Sequence, residues 1–479
     1  MTGWPQLEPG GSRRRLLQQT SAGFGWLAFR GLNMRTAVAG QAMAAGDEAG
    51  GTVAGAQPAA AAGPLSPREP HFAARAKRVI FLFMQGGPSH VDTLDWKPEL
   101  QKRDGQTGGS AGRVGKLLAP QFQFQRSGDS GLWLSELFPE LAKHADRLCL
   151  LNGMHTSNAA HPQATIALHT GSVNFVRPSL GAWVTYGLGT VNQDLPGFVT
   201  ISPVGLGGAQ NYGSSFLPAS FQGTRVQPEE GGIADIRNSR MSPSAQRRQI
   251  DFVQDLNRGL LSRHPGHAEL EGLIQANELA WRMQSSVPDV LDLSGESKEI
   301  QERYGLQDSA TADFGKQCLM ARRLAEAGVR FIQVSRNGWD QHRDLKSALQ
   351  RNCEAIDRPI AALLSDLEQR GLLQDTLVLW GGEFGRSPQD QGSSGDGRRH
   401  NNTGYSMWMA GGGVRGGMQY GTTNELGEKA ESGRLSTHDL HATILHLLGM
   451  DHTRLTYRYA GRDFRLTDVY GEVAKDILA

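Results

Sequence analysis

Arg78-Val79-Ile80-Phe81-Leu82-Phe83-Met84 is an unbroken apolar run of strand length that stops at Gln85-Gly86-Gly87-Pro88. A strand with one wet face alternates apolar and polar residues, so a continuous run predicts a strand covered on both faces, as in a parallel sheet between helices. Working outward, runs of the same kind recur at 148–151, 198–201, 329–334, 377–380 and 405–410. Two of them follow amphipathic stretches closed by glycine: 314–327 ends at Gly328, and 356–370 ends at Gly371. Helix, glycine, apolar strand and polar loop in repetition predict an α/β fold with a mostly parallel central sheet flanked by helices. In such sheets ligands sit beyond the carboxyl ends of the strands, so chemistry belongs in the loops that follow these runs.

The chain has 479 residues, with 49 basic against 48 acidic side chains. A balance this even gives no overall field for nucleic acid or an anionic membrane, so any anion binding is local. Three cysteines, Cys149, Cys318 and Cys353, lie in apolar or amphipathic runs without Cys-x-x-Cys spacing, and read as core residues rather than a disulfide framework. At the N-terminus, Ser12-Arg13-Arg14-Arg15-Leu16-Leu17-Gln18 precedes a weakly apolar run over 20–29. This pattern predicts a twin-arginine signal over 1–44, a partnership with the twin-arginine translocase, and an exported, periplasmic or extracellular protein. The apolar run is too short to span a bilayer. Residues 45–76 are rich in Ala, Gly and Pro and predict a disordered linker. Residues 77–479 are expected to form one domain, with a helical insertion at about 205–306 acting as a cap.

Candidate chemistry gathers after the predicted strands. Ser89, His90 and Asp92 follow the first; they are either ligands or a nucleophile with its base, or caps of the next helix. Asp340 and His342 follow the 329–334 run and offer one oxygen and one imidazole nitrogen to a cation. Glu383 and Arg386 follow the 377–380 run, and His400 lies just ahead of the next. His438 and His441, three residues apart at a helix start, share a face, while Asp439 also suits the helix dipole. Acid and imidazole groups in several such loops would converge on one rim of one sheet, which predicts metal binding.

Met84-Gln85-Gly86-Gly87-Pro88-Ser89-His90, Gly338-Trp339-Asp340-Gln341-His342, Gly382-Glu383-Phe384-Gly385-Arg386 and the stretch 438–449 resemble the family named domain of unknown function 1501. The resemblance runs from about residue 75 to the C-terminus. It implies an alkaline phosphatase and sulfatase-like core, and a hydrolase of small-molecule or polysaccharide phosphate or sulfate esters. It further implies two divalent metal ions (zinc, calcium, magnesium or manganese). Carried over residue by residue, it implies Asp340 and His342 as one ligand pair. Glu383 stands for the acid of a second pair, with Phe384 where a histidine is expected and His400 as its substitute. His438 or His441 would be the late histidine; Gln85 or Gly86 replaces the first-strand acid, with Asp92 to compensate. The stretch His161-Pro162-Gln163-Ala164-Thr165 through Thr170-Gly171 resembles the sulfatase nucleophile motif, with His161 in place of its Cys or Ser. Formylglycine chemistry is thereby excluded, and His161 is left as nucleophile, general acid or base, metal ligand or structural residue. Ser89 and Arg386 complete the catalytic candidates, Arg386 to neutralise transition-state charge. These departures support a second expectation, a secreted binding or scaffold protein that keeps the fold without the chemistry.

Overall fold

The computed structural model describes residues 65–109, 115–228, 232–391 and 395–479. The expected signal over 1–44 and the first part of the expected linker lie outside the described residues. The sheet strands and their partners are β1 (Arg78–Met84), β2 (Leu148–His155), β3 (Phe198–Ile201), β4 (Thr224–Val226) and β5 (Phe331–Arg336). They continue with β6 (Thr376–Gly381), the hairpin β7 (Gly385–Asp390) and β8 (Arg398–Asn401), β9 (Tyr405–Ala410), β10 (Met418–Tyr420) and β11 (Leu435–Ser436). The main helices are α1 (His161–Thr170), α2 (Leu180–Leu188), α3 (Pro243–Arg263), α4 (Ala268–Leu291), α5 (Ala312–Glu326), α6 (Leu345–Gln369) and α7 (Thr437–Leu447).

One nine-stranded sheet runs in the order β10-β2-β9-β6-β1-β5-β3-β4, with β11 also beside β2. β1 lies between β6 and β5 and is parallel to both, and Val79 through Met84 are all buried, as an all-apolar strand requires. The mostly parallel α/β sheet expected from the apolar runs is present. β9 is the exception: it is antiparallel to β6 and to β2. Val378 pairs with Ala410 and Trp380 with Trp408, so β9 begins at the rim where β6 ends. Chain leaving β1, β2, β5 and β6 and chain entering β9 therefore meet at one rim.

Two expected boundaries are corrected. The linker does not extend to residue 76. Leu65 is buried, Arg68 N donates to Leu188 O, and Arg75 N and Ala76 N donate to Leu447 O at 2.9 and 2.8 Å. Paired backbone and a buried Leu hold 65–76 against the ends of α2 and α7. The 205–306 segment is also more than a cap: it supplies β4 to the sheet edge, where Val199 pairs with Thr224, before the α3–α4 helix pair. All three cysteines are buried and unbridged. Among the described residues no helix is long and apolar enough to cross a membrane.

Candidate metal centre

Five side chains meet at the shared rim. β2 hands the chain to a loop that ends in α1, whose first residue is His161, with Pro162 in the first turn where its missing N–H costs nothing. The loop after β5 carries Asp340 and His342, the loop after β6 carries Glu383, and β8 carries His400. Close approach of the β1 and β5 loops depends on Gly86. Its φ is +118°, and a Cβ there would lie 2.5 Å from Asp340 N.

His161, Asp340, His342 and His400 each place one ligand-type atom within 4.8 Å of all the others. Around Asp340 Oδ1 stand His342 Nε2 at 2.9 Å, His161 Nε2 at 3.1 Å and His400 Nε2 at 3.4 Å. The other nitrogen of each ring is held from behind. His161 Nδ1 is 2.5 Å from Glu383 Oε1, His342 Nδ1 is 2.5 Å from Gln391 Oε1, and His400 Nδ1 is 2.7 Å from Ala159 O. Acceptors behind all three rings assign the proton to Nδ1 and leave the Nε2 lone pairs facing inward. This is how metal-binding histidines are oriented, by a carboxylate, an amide or a carbonyl on the far nitrogen. His342 Nε2 and His400 Nε2 lie 2.8 Å apart, and His161 Nε2 is buried beside Asp340 Oδ1. A proton or a metal ion between them relieves lone pairs crowded around a carboxylate oxygen, and three imidazoles with one carboxylate are a set that could hold a transition metal.

The electrostatics agree. Burial by itself would lower the His161 pKa, but the Asp340 and Glu383 carboxylates outweigh it and raise it to about 9. A proton is thus held where a metal would bind. Burial also opposes the charge on Asp340, yet His161, His400 and Arg386 hold its carboxyl well below the usual range. His342 is pushed down, first by burial and then by the charge of Arg386, so its ring stays neutral and able to coordinate. Glu383 is buried, and both its oxygens accept from Gly86 N, at 3.0 and 3.1 Å. It orients His161 and is not one of the four converging groups.

The family described as "Protein of unknown function (DUF1501)" matches residues 76–478. The chain belongs to this family. No curated protein matches it in sequence. Among solved structures it is similar to alkaline phosphatase from the Antarctic bacterium TAB5, with 10% identity over 71% of this chain and 92% of that one and a TM-score of 0.32. It is similar to the PsFucS1 sulfatase from Pseudoalteromonas sp., with 12% identity over 78% and 68% and a TM-score of 0.35. It is similar to the lipoteichoic acid synthase LtaP from Listeria monocytogenes, with 10% identity over 84% and 78% and a TM-score of 0.33. At these scores the likeness carries nothing about chemistry, which rests on the cluster itself.

Several expected site residues of this family member lie elsewhere. His438 Nε2 is 2.8 Å from Gly171 O and His441 Nε2 is 2.8 Å from Leu168 O, so both meet the C-terminal end of α1. His161 begins that ten-residue helix, about 15 Å away along its axis. Asp439 closes a capping box with Ser436, which is its local role. Asp92 is fully buried in a two-point pair with Arg398, at 2.7 and 3.2 Å, and Ser89 Oγ donates to Asp92 Oδ2 at 2.5 Å. Neither Ser89 nor Asp92 joins the cluster, because each is committed to this pair. Arg386, expected to face the substrate, is fully buried instead. It donates to Gly86 O, to Gly87 O (3.0 Å), to Trp339 O (3.3 Å), to Arg398 O (3.3 Å) and to Asp340 Oδ1 (2.5 Å), clamping the β1 and β5 loops together. Gln391 and the Ala159 carbonyl were not foreseen; a lone amide and a backbone oxygen carry no sequence signal for this role.

Proposed function

We propose that this protein is a metal-dependent hydrolase of phosphate or sulfate esters, working with one metal centre held by His161, Asp340, His342 and His400. The observation that carries this is the inward convergence of three Nε2 atoms on Asp340 Oδ1, each ring fixed through its Nδ1. A nitrogen-rich donor set favours zinc or another transition metal over calcium or magnesium. Such an ion, when bound, supplies Lewis acidity to an ester oxygen and lowers the pKa of a bound water. Glu383 keeps the His161 ring in place, and Arg386 does the same for the Asp340 carboxylate. Both nitrogens of His161 are engaged within this arrangement and the Ser89 hydroxyl is committed to Asp92, which favours water over a side chain as the nucleophile.

The test is the metal content of purified protein alongside turnover of aryl phosphate, phosphodiester and aryl sulfate. About one equivalent of transition metal is expected, with turnover of at least one ester that chelation abolishes and metal restores. Protein that takes up no metal and turns over none of the three refutes the proposal; tight metal binding without turnover favours the binding or scaffold protein. We further propose export by the twin-arginine route, supported by the Ser12–Gln18 pattern. Fusing residues 1–44 to a reporter that works only outside the cytoplasm tests it: Arg13 and Arg14 both replaced by Lys, with Arg15 to Lys, should retain the reporter inside.

A further inference from the structure

Beside the metal cluster lies a cleft of about 500 Å³. His342 and His400 form part of its wall, and the β7–β8 hairpin supplies Ser387, Gln389, Gln391 and Arg399. Among the described residues no carboxylate lines it, and its one permanently charged side chain is Arg399. The two neighbouring arginines are committed elsewhere, Arg398 to Asp92 and Arg386 to backbone carbonyls and Asp340. Arg399 is exposed and makes no ion pair among the described residues. Its place is nevertheless set, because Arg398 before it is anchored on Asp92 and His400 after it on Ala159 O. Gln389 adds a second unanswered group: its Nε2 donates to Glu428 at 3.2 Å, while its Oε1 is buried with no hydrogen-bond partner. A buried acceptor without a donor is rare unless a ligand or water supplies one.

We propose that this cleft is the substrate subsite, in which Arg399 binds a tetrahedral oxyanion and Gln389 Oε1 accepts a hydrogen bond from a substrate hydroxyl. The inference rests on the hydrolase proposed above and narrows its substrate to a compact, hydroxyl-bearing phosphate or sulfate ester, such as a polyol or sugar ester. A guanidinium suits this task because its planar fork meets two oxyanion oxygens at once, which an ammonium cannot do. Arg399 is thus a specificity-determining residue.

The experiment is calorimetric titration of zinc-loaded, full-length protein with inorganic phosphate, inorganic sulfate and glycerol 2-phosphate. Wild type, Arg399→Gln, Arg399→Lys and Gln389→Leu are compared, with zinc content and thermal melting measured on each. Arg399→Gln should bind all three anions about ten- to a hundredfold more weakly, with zinc content and melting unchanged. Arg399→Lys should recover part of the loss, and Gln389→Leu should weaken glycerol 2-phosphate more than inorganic phosphate. Anion affinity that is the same in wild type and Arg399→Gln overturns the subsite, as does wild type that binds none of the three. Anion binding that depends on Arg399 without turnover of any ester sinks the hydrolase but leaves the subsite. Turnover of aryl phosphate with a KM unaffected by Arg399→Gln sinks the subsite but leaves the hydrolase.

Discussion

Replacing Glu383 by Gln removes one charge from behind His161 while keeping the side chain's size. In the native arrangement Glu383 Oε1 meets His161 Nδ1 at 2.5 Å, and both carboxylate oxygens accept from Gly86 N. An amide can present only one oxygen. If it faces His161, an NH₂ group is turned toward Gly86 N, and two donors oppose each other in a buried site. The bond to His161 also changes from charge-assisted to neutral, which makes Nε2 a poorer donor to metal. Losing an orienting carboxylate of this kind costs about ten- to a hundredfold in metal affinity, or about 1.4–2.7 kcal/mol. Because a proton competes for the same nitrogen, with a pKa of about 9, affinity should be measured by chelator competition at both pH 7.5 and pH 9. At pH 9 about half of the rings have lost that proton, and the loss should be seen there more directly than at pH 7.5. A Glu383→Gln protein within threefold of wild type at both pH values would refute the orienting role. So would a His161→Ala protein that binds metal as tightly as wild type.

Gly86→Ala should destabilise the protein by about 2–5 kcal/mol in urea unfolding and lower metal occupancy, since a positive φ and a 2.5 Å approach to Asp340 N leave no room for a methyl group; unchanged stability would contradict the close loop contact. Ser89→Ala should leave ester turnover within about twofold of wild type, because the hydroxyl is committed to Asp92; loss of turnover in a protein that still melts like wild type would restore Ser89 as a nucleophile. Stability should fall as pH drops below about 6.5. Burial lowers the pKa of His169 to about 4 and that of His441 to about 3, so the unfolded chain takes up protons that the folded one refuses. Their contribution is therefore complete above pH 6.5 and lost as pH falls toward 3–4, about 3 kcal/mol from His169 alone. Urea midpoints at pH 7 and pH 4.5 measure it, and equal midpoints would contradict the burial of these rings.

The strands were legible because a strand buried on both faces has no polar residues to interrupt it. Their direction was not: the 405–410 run looks like the others, yet β9 is antiparallel, and a run of apolar side chains carries no sign of its polarity along the sheet. Edges shifted where a turn shares the apolar character of a strand. The run expected at 329–334 becomes Phe331–Arg336, because Val329 N still bonds Leu324 O as the chain leaves α5. Asp340, His342 and Glu383 are legible as polar groups following apolar runs, His400 as one just ahead of a run, and His161 only through the family resemblance; the fold brings them together. Their division of labour was not visible. Whether an acid coordinates, as Asp340 is placed to do, or orients, as Glu383 does, depends on which atoms face inward. His438 and His441 open a helix just as His161 opens α1, but no spacing rule shows which end of α1 their helix meets.

The reversed direction of β9 has a consequence for how this molecule can vary. Since the β7–β8 hairpin is both entered and left at the same rim, its connecting segment can lengthen or shorten without moving any register in the sheet. That hairpin carries one of the converging imidazoles and most of one wall beside it. Relatives that keep the same four converging side chains are therefore free to vary the wall beside them by remodelling a single short loop.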